Sequence, residues 1–128
     1  MLNTFKYLYF ISIDNMEDDL DLKNLRSFIG TNEYHDVMGS NVTDGIAYIM
    51  NNGYSWFVTD TLAVITTKFK NKDFLGVKLK LDKNDGAKMI IENGDGKTLY
   101  EQKYKWTNAK KELMLFWTNN VLMLSTEY

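Results

Sequence analysis

Within NVTDGIAYIMNNGYSWFVTDTLAVI (41–65) a threonine twice precedes an aspartate, at Thr43-Asp44 and Thr59-Asp60. Two carboxylates flanking an apolar, aromatic run could share a pocket and divide general acid and general base roles between them. The same residues could equally hold structure. Thr43 stands where a helix N-cap belongs, and Asp44 would then meet the positive end of the helix dipole. Asp60 lies between Trp56-Phe57-Val58 and Leu62-Ala63-Val64, where a carboxylate is costly unless it is hydrogen-bonded or paired. No second base or cationic clamp stands near either one in sequence. The structural reading is therefore favoured: Asp44 at a helix start, Asp60 buried and bonded to backbone or to a tyrosine or tryptophan donor.

The other chemical groups are few. The chain has one histidine, His35, in NEYHD beside Glu33 and Asp36. Adjacent residues converge on one ion only through a sharp turn, and no second histidine completes a zinc set. His35 reads as a loop histidine, hydrogen-bonded or solvated. No G-x-S-x-G accompanies it, so a Ser-His-Asp relay has no nucleophile. The densest glycine stretch, NGDGK, sits between two strand-like runs, whereas a phosphate cradle must open a helix. DKNDG begins like a calcium loop, but Ile90 and Ile91 occupy the region of the required glutamate. The expectation is a protein that is not an enzyme, with no catalytic, cofactor-binding or metal-binding residues and no cofactor.

The elements that must position these groups follow from composition and period. The 128 residues are 45% hydrophobic and 14% aromatic, with neither cysteine nor proline, so turns must be made by Gly, Asn and Asp. One domain spanning 1–128 is expected. MLNTFKYLYFISID (1–14) has an apolar run too short to span a bilayer and lacks a cleavage signature. It reads as a strand-like arm of a cytoplasmic protein. After Asn15, Met16, Leu20, Leu25, Phe28 and Ile29 form a helical stripe that Gly30 stops. TNEYHDVMGSN reads as a loop, and Thr43 then opens a helix closed by Asn52-Gly53. YSWFVTDTLAVITTKF is a buried helix or, nearly as well, a buried strand.

The period then changes from 3.6 to 2. Leu75, Val77, Leu79 and Leu81 alternate with Gly76, Lys78 and Lys80. Asn84–Gly86 and Asn93–Gly96 turn the chain into AKMIIEN and KTLYEQKYKW, where Tyr100, Gln102, Tyr104 and Trp106 share a face. LMLFWT and VLMLS, around Asn119-Asn120, make a last hairpin. The expected fold is α+β: the N-terminal arm and two or three helices packed on a four- to five-stranded antiparallel meander.

Charge is polarised along the chain. Residues 1–66 carry nine acidic and three basic side chains, net −6; residues 67–128 carry eight and twelve, net +4. Such polarity speaks to partners and association rates. Lys78, Lys80, Lys88, Lys103 and Lys105 fall on the outward face of the strands and could contact phosphate, although a lysine-rich face is also how an exposed sheet stays soluble. Glu17, Asp18, Asp19 and Asp21 mark a solvated helix start that could present a phosphate-like row to a basic partner.

FIGTNEYHD (28–36), VTDGIAYI (42–49), GYSWFVTDTLAVI (53–65), LGVKLKL (75–81) and VLMLSTEY (121–128), in that order, resemble a bacterial and phage family of unknown function. Its pattern reads F-T-G-[ST]-x-x-Y-x-H, Y-T-D-G-x-x-Y, G-A-Y-W-L-x-D-x-I and L-x-L-P-S-E-Y. The resemblance covers about residues 25–128 and marks Phe28, Gly30, Tyr34, His35, Thr43, Asp44, Gly45, Tyr54, Trp56, Asp60, Glu127 and Tyr128. This sequence departs from the pattern at Ser55 and at Ser125-Thr126, where a proline is expected. The resemblance implies a phage or mobile-element origin and no activity. Small size, scarce catalytic groups and abundant Tyr, Trp and Met suit a non-enzymatic protein-binding module. The expectation is an inhibitor of a host defence complex, anti-CRISPR-like, meeting its partner through Glu17, Asp18, Asp19, Asp21, Glu33, His35 and Asp36. The alternative is a nucleic-acid-binding accessory protein using the lysine face.

Overall fold

The computed structural model describes residues 20–128. The arm expected over 1–14 and the acids Glu17, Asp18 and Asp19 lie outside the described residues. A short helix α1, Leu22–Arg26, comes first, and the Asp21 carboxylate caps it by accepting the Lys23 N–H. The helix expected up to Ile29 ends earlier among the described residues: Ser27 caps it, and Phe28 and Ile29 lie beyond its end, Ile29 in solvent rather than on a buried stripe.

The segment read as a loop is instead a hairpin. β1, His35–Val37, pairs antiparallel with β2, Ser40–Val42. Met38 (φ 55°) and Gly39 (φ 84°) form the two-residue connection. Positive φ at both positions is the signature of a type I′ turn, whose twist suits a hairpin. Strands of three residues are too short to show a period, and methionine is not a residue that announces a left-handed conformation.

Thr43 caps α2, Asp44–Ile49, as its position predicted. The helix breaks in a π-type turn, Met50–Tyr54, where Asn52 leaves helical space and Gly53 takes φ 104°. Ser55–Lys68 then forms α3, the main helix. Its buried positions are Ser55, Phe57, Val58, Thr61, Leu62 and Ile65, a three-four spacing that settles helix over strand.

Five further strands follow: β3 Phe74–Leu81, β4 Ala87–Glu92, β5 Thr98–Tyr104, β6 Leu113–Thr118 and β7 Val121–Leu124. The turns fall where expected. The Asp82 carboxylate accepts the Asn84 and Gly86 N–H groups, and the Asn93 side chain accepts those of Asp95 and Lys97. The class is α+β, but the sheet has seven strands in the order β1-β2-β7-β6-β3-β4-β5 rather than a meander of four or five. β3, β4 and β5 are a meander, whereas β6 returns to the other side of β3. β2 joins β7 in parallel, the one parallel pairing among the described residues. Period alone cannot show which neighbour a returning hairpin chooses.

Leu75, Val77, Leu79, Met89, Ile91, Leu115 and Leu122 point from the sheet into one core with Tyr54, Phe57, Leu62 and Ile65. The opposite sheet face carries Lys78, Lys80 and Lys88, partly exposed or exposed, as registered from sequence. Trp106 departs from its expected register: it lies past the end of β5 and is exposed. No helix among the described residues is long and apolar enough to cross a membrane.

Candidate functional site

The N-terminus of α2 is where groups capable of chemistry gather. A helix start leaves backbone N–H groups without intrahelical partners. Here the first three are taken by three different side chains. Asp44 N–H donates to Thr31 Oγ1 at 2.9 Å, Gly45 N–H to Glu127 Oε2 at 3.0 Å, and Ile46 N–H to Thr43 Oγ1 at 3.4 Å. The Thr43 hydroxyl also donates to Glu127 Oε1 at 2.6 Å, and that same carboxylate oxygen accepts the Leu124 N–H at 2.9 Å. A Cβ on Gly45 would come within 2.5 Å of Glu127 Oε1 and of Leu124 Cδ1. Only glycine allows the C-terminal turn, Ser125–Glu127, this close to the helix.

Asp44 has two partners of its own. Its Oδ2 accepts the Asn32 N–H at 2.9 Å, and its Oδ1 lies 2.9 Å from His35 Nε2, the imidazole N–H donating to the carboxylate. The Asn32 amide first, and then His35, hold the Asp44 carboxyl below the ordinary carboxylate range. On the other ring nitrogen, Glu33 Oε1 stands 3.8 Å from His35 Nδ1. Glu33, His35 and Asp44 bring one ligand atom each within 4.8 Å of the others, so this trio could hold a metal ion. In sequence the neighbours of His35 are Glu33 and Asp36; the third ligand atom comes instead from Asp44, on another element.

Of the acids expected at the contact surface, Asp21 is engaged as the α1 cap. Asp36 alternates away from His35 along β1 and is exposed, with its carboxylate accepting the Gly39 N–H in the hairpin turn. Glu33 and His35 come together; Asp36 does not join them. The residues marked by resemblance divide in a way that sequence spacing concealed. His35, Thr43, Asp44, Gly45 and Glu127 meet at the α2 start, although 92 positions separate the first from the last.

Tyr54, Trp56 and Asp60 gather elsewhere, where α3 faces β5. Trp56 meets Tyr104 edge-on at 5.0 Å, and Tyr54 Oη accepts the Lys110 and Lys111 N–H groups at 3.3 and 3.2 Å. Asp60 is half-buried rather than buried, and its partner is a tyrosine as expected: the Tyr104 hydroxyl donates to Oδ2 at 2.9 Å. A polar row runs back along β5 through Gln102 to Tyr100. Burial raises the Asp60 carboxyl above its ordinary range, and the Tyr104 hydrogen bond only partly offsets this. Asp44 contacts residues beside β1 and Asp60 contacts β5, at opposite ends of the sheet order. The two aspartates are not a catalytic pair.

The chain belongs to DUF6876, a family of unknown function. The family's sequence pattern matches residues 20–128, which include the whole α2 junction and the α3–β5 cluster. No curated protein and no solved structure matches this DUF6876 chain.

The lysine face is largely self-neutralised. Lys78 pairs with Glu92 at 3.1 Å, Lys80 with Glu112 at 3.7 Å and Lys88 with Glu101 at 3.5 Å. At the α1 end the surface differs. Ile29 is 82% exposed and Tyr34 59% exposed, close in sequence to the exposed carboxylates Glu33 and Asp36. A shallow hollow lined by Phe28, Ile29, Thr31, Asn32 and Asp44 lies in this region.

Proposed function

We propose that this chain is a non-enzymatic protein-binding module that presents its acidic, aromatic α1–β1 end to a basic protein surface. The observation that carries the reading is how the side chains are engaged. Thr43, Asp44, Glu127 and Asp60 are committed to partners inside the fold, and no nucleophile is paired with His35 among the described residues. Ile29 and Tyr34 stand out into solvent, and Glu33 and Asp36, near them in sequence, are exposed carboxylates. Exposed large apolar side chains together with charge suit recognition, the apolar groups supplying affinity and the carboxylates steering the encounter.

The partner class we favour is a nucleic-acid-handling complex of a host defence system, such as a CRISPR effector, whose basic groove these carboxylates would occupy. The support is the acidic charge of the first half together with the mobile-element origin implied by the resemblance.

A second reading is kept for one observation. Lys80, Lys88 and Lys103 lie directly opposite one another across three strands, a cationic rung that could meet a phosphate backbone. Its signature would be a steep loss of nucleic-acid binding between low and moderate salt.

The experiment is co-purification of the tagged chain with a purified effector complex, comparing wild type, Glu33→Lys/Asp36→Lys and Ile29→Asp/Tyr34→Asp. Both exposed pairs leave the core untouched, so the variants should fold, as circular dichroism would verify. Loss of capture in both is the expected result. Unchanged capture by both folded variants would rule out this surface, and capture lost only on Lys80→Glu/Lys103→Glu would favour the lysine rung.

A further inference from the structure

β5 is an edge strand of seven residues, Thr98–Tyr104, and among the described residues no strand pairs with its outer side. An open edge offers a row of backbone donors and acceptors to whatever strand can match it. Its side chains decide what can. Glu101 and Lys103 are both exposed and lie two residues apart, on the sheet face away from Tyr100, Gln102 and Tyr104.

Within its own sheet Lys103 faces Lys88, which in turn faces Lys80. Like charges directly opposite are unfavourable. Lys80 leans to Glu112 and Lys88 leans to Glu101, while Lys103 makes no ion pair among the described residues. The rung therefore ends at the edge with a positive charge facing an open position.

We propose that β5 pairs antiparallel with β5 of a second copy of this chain, about a two-fold axis at Gln102. In that register Glu101 of each copy stands opposite Lys103 of the other, so one symmetric step places both carboxylates against both unpaired ammonium groups. Tyr100 of each copy stands opposite Tyr104 of the other on the inner face, where Phe69 and Trp56 already back these two rings at 6.4 and 5.0 Å. Cross-strand partners of this kind approach to about 5 Å between Cβ atoms, close enough for ion pairing and ring contact. The interface is isologous, as a closed dimer requires. It lies at the opposite end of the sheet order from β1, so it is independent of the function proposed above and would leave two acidic ends free for bivalent binding.

Two charge reversals test the register. In Glu101→Lys the edge carries two lysines and repels its own copy; in Lys103→Glu it carries two glutamates and does the same. Mixed, the two variants regain both opposite-charge pairs. Both residues are exposed, and folding is verified by thermal unfolding. Sedimentation equilibrium of the full chain should show a wild-type dimer, each single variant weakened at least about tenfold in self-association, and a one-to-one heterodimer on mixing. A wild type that stays monomeric up to about 0.5 mM would overturn the proposal. So would a dimer indifferent to both reversals, or single variants that fail to associate when mixed. In any of those outcomes the lysines act only to keep other strands off the edge.

Discussion

Three side chains drawn from distant parts of the chain, Thr31, Thr43 and Glu127, take the first three amides of α2. At the residue scale this is the most consequential arrangement in the molecule, because it turns a helix terminus that could have bound an anion into a closed joint. Thr43 is buried and bonded in both directions, so Thr43→Ala should lower stability by about 1–2 kcal/mol in urea unfolding. Asp60 should behave differently. Its carboxyl sits above its ordinary value in the folded chain, so the folded state disfavours its charge. Stability from this group is then highest at acid pH and falls as pH rises through the interval between the unfolded and folded values. Relative to wild type, Asp60→Asn should be more stable at pH 7 than at pH 3, and a difference independent of pH would show that burial is not the cause. Thr61 offers the clearest gain. Its hydroxyl is fully buried on α3 with no hydrogen-bond partner among the described residues, and Thr61→Val should raise stability by about 1 kcal/mol in the same measurement.

At the scale of elements, the β1–β2 hairpin carries an avoidable strain. Met38 occupies a left-handed position at φ 55° before Gly39, where asparagine is the better residue. Asparagine there would relieve the strain but give up the packing of Met38 against the core, whereas Gly39→Ala puts a side chain at φ 84° and should cost about 1 kcal/mol, read as a lower melting temperature. The same hairpin marks the boundary of what sequence can reveal. β3, β4 and β5 were legible because six to eight alternating residues between Asn/Asp-Gly turns leave little choice, and α2 was legible from one capping threonine. β1 and β2 were not legible, since a three-residue strand has no period and a methionine gave no turn signal. Nor was the parallel β2–β7 pairing, which depends on where a distant strand comes to rest. The helical stripe in α3 was hidden by apolar residues on its other faces. The candidate site followed the same logic. Thr43 and Asp44 could be placed from local chemistry, whereas His35 read only as a loop histidine, bonded or solvated, and lies in a strand; the union of these residues with Thr31 and Glu127 depends on tertiary structure alone.

At the scale of the whole molecule, the α2 junction ties residues 31–46 to the chain's last turn. The parallel pairing of β2 with β7 brings the two regions together, the Thr43 N–H donates to the Leu122 carbonyl at 3.2 Å, and Glu127 completes the joint. Asp44, which looks catalytic in sequence, holds the Asn32 amide and His35 at this junction, while Asp60 bonds Tyr104 at the far end of the sheet order. Exposed Ile29, Tyr34, Glu33 and Asp36 are then the side chains left for the recognition proposed above. The structural role of Asp44 has a pH signature, since its folded carboxyl lies below the ordinary value of 3.8. A lowered value contributes stability that is present above the unfolded range and is lost as pH falls through the folded one. The measurement is the urea midpoint of wild type against Asp44→Asn from pH 7 down to pH 3. A lower midpoint for Asp44→Asn at pH 7, with the gap narrowing as pH falls below about 4, is the predicted result. Equal midpoints at pH 7 would overturn that role, leaving Asp44 a carboxylate that the fold does not need.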